Sequence, residues 1–135
     1  MAQQLTERPP TSISSLPRIF RAAARILATN GLNQGDFVRD TFDRESTILH
    51  AERPMSIVAA LSCAVTGDPH TPSAESREAV RVLAHRLVVR SEGPYGEDGL
   101  ALAFHVDEWG DVEGRTTESA VSVLEAAADA CEVSA

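Results

Sequence analysis

The stretch from Pro54 to Gly67 has no charged side chain, although 24% of the residues in this 135-residue chain are charged. Proline suits the first position of a helix, and glycine suits the left-handed position just past a helix end. Between them, apolar residues recur at helical spacing, at Ile57, Val58, Leu61, Ala64 and Val65. The other positions are mostly small, and a helix that is apolar or small all round is usually buried. We therefore predict a central core helix over about residues 54–66, too short for a membrane span of roughly 20 residues.

The amino-acid composition limits the classes of protein to which the chain can belong. A length of 135 residues with 43% hydrophobic content suits one domain with a buried core. The formal net charge is −8, whereas binding to nucleic acid or to an anionic membrane surface depends on an excess of positive charge. We therefore expect no membrane association, and nucleic acid is the less favoured partner.

The cysteines and the first residues of the chain bear on its compartment. Two cysteines, Cys63 and Cys131, do not make a disulfide framework, and we interpret them as free thiols in a reducing compartment. The chain does not open with a basic region followed by an apolar run, so we expect no signal peptide. Together these features predict a cytoplasmic protein.

The first part of the chain contains clear signals for where helices begin and end. Residues 1–15 are polar and include consecutive prolines, which predicts a disordered N-terminal arm. Ser14 or Ser15 is the expected cap of a first helix, whose apolar stripe starts at Leu16 and which stops at Asn30-Gly31. We interpret the next stretch, 33–43, as a short helix or turn whose aromatic residues, Phe37 and Phe42, seal one end of the core.

The second part of the chain is divided in the same way. Thr71 as cap and Pro72 as first residue predict a helix that ends near Arg90. Residues 91–99 are rich in glycine and predict a loop. The apolar run that follows, 100–106, fits either a helical turn or a short strand. Thr116 or Thr117 is the expected cap of the last, alanine-rich helix.

These segments together predict a fold that is mainly α. We expect a compact bundle of four to five helices around the central helix. The β-prone segment Ser46–His50 is either an extended connector or an edge strand, so one short strand pair remains an option. The predicted organisation is a single α-helical domain over residues 16–135, following the N-terminal arm.

The densest group of chemically active side chains lies between His105 and Arg115. Its histidine and carboxylates could form a general acid–base pair or bind a divalent metal. The spacing matches neither the calcium-loop pattern nor the two-histidine zinc helix, so we predict no metal site and no cofactor. The candidate catalytic residues are His105, Asp107, Asp111 and Arg115.

The same residues also have a structural interpretation, which we favour. Trp109 would fill the core where the chain turns, Asp111 would hold the turn by accepting bonds from backbone N–H groups, and Arg115 would pair with an acidic neighbour. A catalytic site would instead use a pocket between the central helix and the Trp109 turn. Candidate ligand-binding residues are Trp109 and Tyr95, the single tyrosine of the glycine-rich loop.

The C-terminal part of the sequence resembles a known family. Trp109-Gly110-Asp111 followed by Gly114-Arg115-Thr116 and an alanine-rich helix is similar to a family of small uncharacterised actinobacterial proteins, in which a Trp-Asn-Asp turn and a Gly-Arg-Thr step recur. The first helix closing in Gly31–Gly35, and Ala59-Ala60 of the central helix, fit the same resemblance. This chain departs from the pattern at Leu32, where the family tends to have Trp, and at Gly110, where it tends to have Asn. The resemblance implies a fold and an origin, and no activity.

The functional hypothesis that follows is a small binding or interaction protein. We expect it to form a homo-oligomer and to act on a protein or a small molecule. The alternative is a small enzyme of specialised metabolism with its pocket near Trp109. A DNA-associated regulator that uses the arginine face of the first helix, Arg18, Arg21 and Arg25, is less favoured.

Overall fold

The computed structural model describes residues 15–43 and 47–134 and is mainly helical, as predicted. The predicted N-terminal arm lies outside the described residues apart from Ser15, and so does Ser46, the first residue of the β-prone segment. Five α-helices are present among the described residues, together with a 3₁₀ turn at His50–Glu52. The helices are α1 Leu16–Asn30, α2 Ile57–Thr66, α3 Ala74–Ala84, α4 Gly99–Gly110 and α5 Thr117–Ser134.

The core lies where α2 meets its neighbours. Helix α2 packs against α1, α3 and α4, and α1 packs in turn against α5. The α2 residues Ile57, Ala59, Ala60 and Leu61 are completely buried. The two alanines let the neighbouring helices approach, and the burial confirms the prediction of a buried central helix. No helix in the described part of the chain is long and apolar enough to cross a membrane.

Helix α2 begins later than predicted. Pro54 is not its first residue, because Ser56 caps the helix by accepting a hydrogen bond from the Ala59 N–H at 3.1 Å. Pro54 and Met55 form an extended segment instead, in which Met55 bridges to both Leu32 and Val38. The described part of the β-prone segment, residues 47–50, contains neither a strand nor a bridge, so it is a connector rather than an edge strand. The end of the helix is as predicted, since Gly67 adopts a left-handed conformation with φ of +82°.

Helix α3 is shorter than predicted at both ends. Ser73, rather than Thr71, caps it through a reciprocal capping box with Ser76, so Pro72 lies before the helix. The helix ends at Ala84 and not near Arg90. Helix α4 settles the undecided run 100–106 as helical, because Asp98 caps it by accepting a bond from the Ala101 N–H at 2.9 Å. The predicted loop before it is present.

The stretch 33–43 contains turns at residues 39–42 and no helix, so the second of the two predicted alternatives is present. Buried Arg53 holds it in place, since its guanidinium donates to the backbone carbonyls of Ile48, Arg39 and Asp40 at 2.9, 3.2 and 2.6 Å. The expectation that Phe42 seals the core is wrong, because its side chain is 90% exposed. Phe37 is half-buried and packs against the core, so it alone of the two aromatic residues has the predicted role.

Candidate functional site

Helix α4 carries most of the predicted site residues, and its geometry divides them between two faces. Residues four apart lie on the same side of a helix, whereas residues two apart lie on nearly opposite sides. His105 and Trp109 therefore share the buried face, and Asp107 and Asp111 share another. The expected turn at Trp109 is the last turn of α4, which ends at Gly110.

His105 is buried against the segment that follows α3. Its side chain is 3% exposed, and its Nε2 lies 2.8 Å from the backbone carbonyl oxygen of Leu87. Because a carbonyl only accepts hydrogen bonds, Nε2 carries the proton in this contact. The imidazole therefore links α4 to the chain beyond α3.

Asp107 lies at the beginning of α2, on the side of α4 opposite His105. Its Oδ1 accepts a hydrogen bond from the Val58 N–H at 3.0 Å, near the positive end of the helix dipole. Burial raises the pKa of this carboxyl from 3.8 to about 6, although the bonds from Val58 and from the Ser56 hydroxyl act in the opposite direction. Nearby Asp111 adds to the increase in pKa. The carboxyl group therefore changes charge close to neutral pH.

The remaining predicted residues have structural contacts. Asp111 Oδ1 accepts a bond from the Gly35 N–H at 2.9 Å, which is the backbone contact expected of it. Arg115 does not pair with an acidic side chain in the described contacts. Its guanidinium carbon lies 3.6 Å from the centroid of the Trp109 ring, and its Nε donates to the Trp109 carbonyl at 2.9 Å. Tyr95 is 77% exposed in its loop.

One cavity brings part of the predicted site together. We call it the acidic groove; it has a volume of about 480 Å³ and lies beside the end of α4 and the start of α2. Of the six candidate residues it contains Asp107, Asp111 and Tyr95, whereas His105, Trp109 and Arg115 do not line it. Its full lining is Gly35, Phe37, Tyr95, Phe104, Asp107, Glu108 and Asp111. Neither a residue of the central helix nor Trp109 lines it, so it differs from the pocket predicted between those two, and it also lacks the histidine.

A second cavity was not foreseen from the sequence. We call it the apolar pocket; it has a volume of about 350 Å³ and lies between α2, α3 and the first turns of α4. Its lining is mostly aliphatic or aromatic, with Val58, Val80 and Leu102 among the less exposed residues. The complete set is Phe37, Val58, Ser62, Pro69, His70, Pro72, Ser76, Arg77, Val80, Gly99, Leu100, Leu102 and Ala103. Phe37 lines both cavities, so they adjoin.

Two histidines meet at the edge of the apolar pocket. His50 Nδ1 lies 2.8 Å from His70 Nε2, so one ring donates to the other. The ring of His70 also lies 5.7 Å from that of Phe37, centroid to centroid. Burial and the positive charge of Arg53 lower the pKa of His50. In the sequence the two histidines are 20 residues apart and no motif connects them, which is why sequence reasoning missed the pair.

The described residues contain no group of three or more histidine, cysteine or acidic side chains placed to hold a metal ion. Cys63 and Cys131 are both free thiols, and burial raises the pKa of each. A raised pKa keeps a thiol protonated and unreactive at neutral pH. The positive charge of Arg86 acts to lower the pKa of Cys131, but it does not offset the effect of burial.

The comparison with protein families gives one result. The model of a family of unknown function, DUF6197, matches residues 12–130. The chain belongs to this family. Neither the curated proteins nor the solved structures contain a significant match to it. Membership of DUF6197 agrees with the predicted family of unknown function and brings no activity with it.

In this DUF6197 member, the two positions that depart from the resemblance noted above lie against each other. A Cβ atom added to Gly110 would lie 3.5 Å from Ile57 Cδ1 and 4.0 Å from Leu32 Cδ1, both ordinary contact distances. Positions 32 and 110 therefore form one packing site at the start of α2. The site is next to the Asp111 contact with Gly35, at the edge of the acidic groove.

Proposed function

We propose that this protein is a small binding protein whose apolar pocket holds an apolar small molecule. The observation that carries the proposal is the pocket itself, a cavity of about 350 Å³ in the interior angle between three helices. Ligand sites in proteins are concave, mainly apolar and about 300–1,000 Å³ in volume. The pocket meets each of these conditions.

The volume favours a small molecule over a protein segment. At the roughly 30 Å³ that a water molecule occupies in the liquid, the pocket accommodates about 12 non-hydrogen atoms. One turn of a helix about 10 Å in diameter occupies on the order of 400 Å³, which is more than the pocket offers. An extended alkyl chain or a single ring system fits it better.

The polar side chains of the pocket are few, and they are divided between its mouth and its interior, where Ser62 and Ser76 are buried. His70 and Arg77 are exposed, whereas Ser76 is buried and its hydroxyl already bonds to Ser73. A small number of polar groups around an apolar cavity fixes the orientation of a ligand, while the affinity comes mainly from burial of the ligand's apolar surface. The exposed side chain of Leu100 extends the apolar surface beyond the mouth.

The catalytic alternative has less support from the same contacts. His105, Asp107 and Asp111 each bond to a backbone group of another segment. Residues that hold helices together in this way are occupied, and they do not converge on one point in the acidic groove. We further take the protein to act in the cytoplasm, where two free thiols stay reduced.

Titration of the protein with octan-1-ol, followed by ¹H–¹⁵N NMR, tests the proposal. We expect saturable shifts at residues of the pocket, such as Val80 and Leu102. Ala103→Trp should abolish them, because Ala103 is half-buried in the pocket wall. Ala28→Trp, at an exposed position in α1 outside the lining of the apolar pocket, is the matched control and should bind normally.

A second variant covers the case in which Ala103→Trp does not fold. Leu100 is 65% exposed, so Leu100→Asp should fold normally while it places a charge at the pocket mouth and weakens binding. Shifts that do not saturate, or that Leu100→Asp and Ala103→Trp both leave unchanged, would contradict the proposal.

A further inference from the structure

We infer that the apolar pocket selects an anionic amphiphile, an apolar chain with a carboxylate head, and that Arg77 binds the head at the pocket mouth. This inference rests on the proposed function, because it names the class of ligand for the same pocket. It starts from the charges of the residues that line the cavity.

The lining of the pocket differs in charge from the rest of the molecule. The chain has 20 acidic and 12 basic residues, yet none of the described residues that line the pocket is acidic. Arg77 is the lining residue that carries a full charge at neutral pH. The charged group of the lining is therefore positive in a protein of net charge −8, and the acidic residues next to the lining, Asp68 and Asp98, already accept bonds from Thr71 and from the Ala101 N–H. A ligand with a negative head complements this site, whereas a cationic head would face Arg77.

Arg77 is available to bind a ligand. Two other arginines are paired: Arg81, on the same helix as Arg77, with Glu78, and Arg90 with Glu108 at 3.3 Å. Within the described part of the chain, Arg77 forms no salt bridge. A guanidinium group offers paired N–H donors that match the two oxygens of a carboxylate. Arg77 therefore brings both the charge and the geometry that a carboxylate head needs.

The other positive features near the mouth are already engaged. The first residues of α4, Gly99 and Leu100, line the pocket, but the carboxylate of Asp98 caps that helix and offsets its dipole. His70 lies 2.8 Å from His50 and shares a proton with it. The preference for an anion thus depends on Arg77, which makes it testable by a single substitution.

Three probes with the same alkyl chain separate the head group from the pocket. Octanoate, octan-1-ol and octylammonium differ in charge, and each contains about ten non-hydrogen atoms, within the roughly 12 that the pocket accommodates. We expect octanoate to bind about fivefold more tightly than octan-1-ol, the upper end of the gain typical of an ion pair at an exposed position such as Arg77. Octylammonium should bind most weakly, although the net charge of the protein attracts it.

The variant Arg77→Gln should remove the preference for octanoate and leave the dissociation constant for octan-1-ol unchanged. Arg77→Lys should keep part of the preference, because it retains the charge and loses the paired donors. Arg25→Gln is the matched control: it changes the net charge by the same amount at an exposed position in α1, and it should alter neither constant.

The outcomes distinguish this inference from the proposed function. If octan-1-ol binds and octanoate binds no more tightly, or if the preference survives Arg77→Gln, the assignment of Arg77 is overturned and the pocket function stands. A preference that Arg25→Gln also removes would show a general field effect and would overturn the assignment as well. If none of the three probes binds, both the pocket function and the inference fail.

Discussion

Replacing Asp107 with Asn should stabilise the protein at neutral pH and have much less effect in acid. Burial between α4 and the start of α2 raises the pKa of this carboxyl from 3.8 to about 6. The folded state therefore binds the proton more tightly than the unfolded chain does. By linkage, this group makes the protein less stable as the pH rises from about 4 to about 6.

The size of the effect follows from the two pKa values. Their difference of about 2.2, at about 1.4 kcal/mol for each pKa unit, corresponds to ~3 kcal/mol of stability lost between pH 4 and pH 7. Asparagine has no charge to desolvate, and its side-chain oxygen can still accept the bond from the Val58 N–H. The stability of Asp107→Asn should therefore lack this component of the pH dependence.

Urea unfolding from pH 4 to pH 8, followed by the fluorescence of Trp109, measures both proteins. The quantity of interest is the difference in unfolding free energy between them, because contributions from other carboxylates cancel. Asp68 and Glu78, whose pKa values are lowered by their hydrogen bonds, destabilise both proteins equally in acid. A difference that is flat with pH, or that grows in favour of the unsubstituted protein above pH 6, would refute the reasoning. An NMR titration of the Asp107 carboxyl carbon with a midpoint below 4 would do so too.

Four further substitutions test the helix ends and the aromatic contact. Gly67→Ala should destabilise the protein by about 1–2 kcal/mol, because φ there is +82°, whereas Gly110→Ala should be neutral or slightly stabilising; equal losses in urea unfolding would contradict this. Arg115→Met should cost about 1–2 kcal/mol and shift the emission of Trp109, whose ring it covers; an unchanged spectrum would argue against the contact. Ser73→Ala should cost about 1 kcal/mol through loss of the capping box, and a midpoint in urea equal to that of the unsubstituted protein would disprove this role.

The sequence predicted α1, α2, α3 and α5 and left α4 undecided, and it misplaced the first residues of α2 and α3 for an identifiable reason. Pro54 and Pro72 each fit the first position of a helix, but in both cases a serine further along the chain is the cap. Ser56 and Ser73 each accept a bond from the backbone N–H three residues later. This N–H has no intrahelical acceptor in the first turn, and proline has no side-chain oxygen that could accept from it. The first residue of each helix is therefore set by the serine that forms this bond. The proline lies outside the helix, in the segment before the serine.

Local pattern left the stretch 33–43 open between a short helix and a turn, because a residue outside it determines its conformation. Arg53 is buried, and three backbone carbonyls accept its N–H groups, two of them from this stretch. A helix over 33–43 would use the Arg39 carbonyl for an intrahelical bond, whereas in the structure this carbonyl accepts from Arg53. The charges at helical spacing in this stretch, Asp36, Asp40 and Asp43, thus reflect an exposed loop rather than a helix face.

Local pattern also could not show that the candidate site residues of α4 hold this helix in place beside the proposed pocket. Periodicity shows which residues of α4 share a face, but not which segment each face meets. Two polar side chains of α4 and the side chain of its C-cap residue, Asp111, bond this helix to three other segments. His105 bonds to Leu87, Asp107 to Val58, and Asp111 to Gly35. These bonds fix the position of α4, whose first turns form one wall of the apolar pocket. A wall held in this way needs little ordering when a ligand binds, so less of the binding energy is lost. The residues predicted for catalysis would then support binding from outside the pocket.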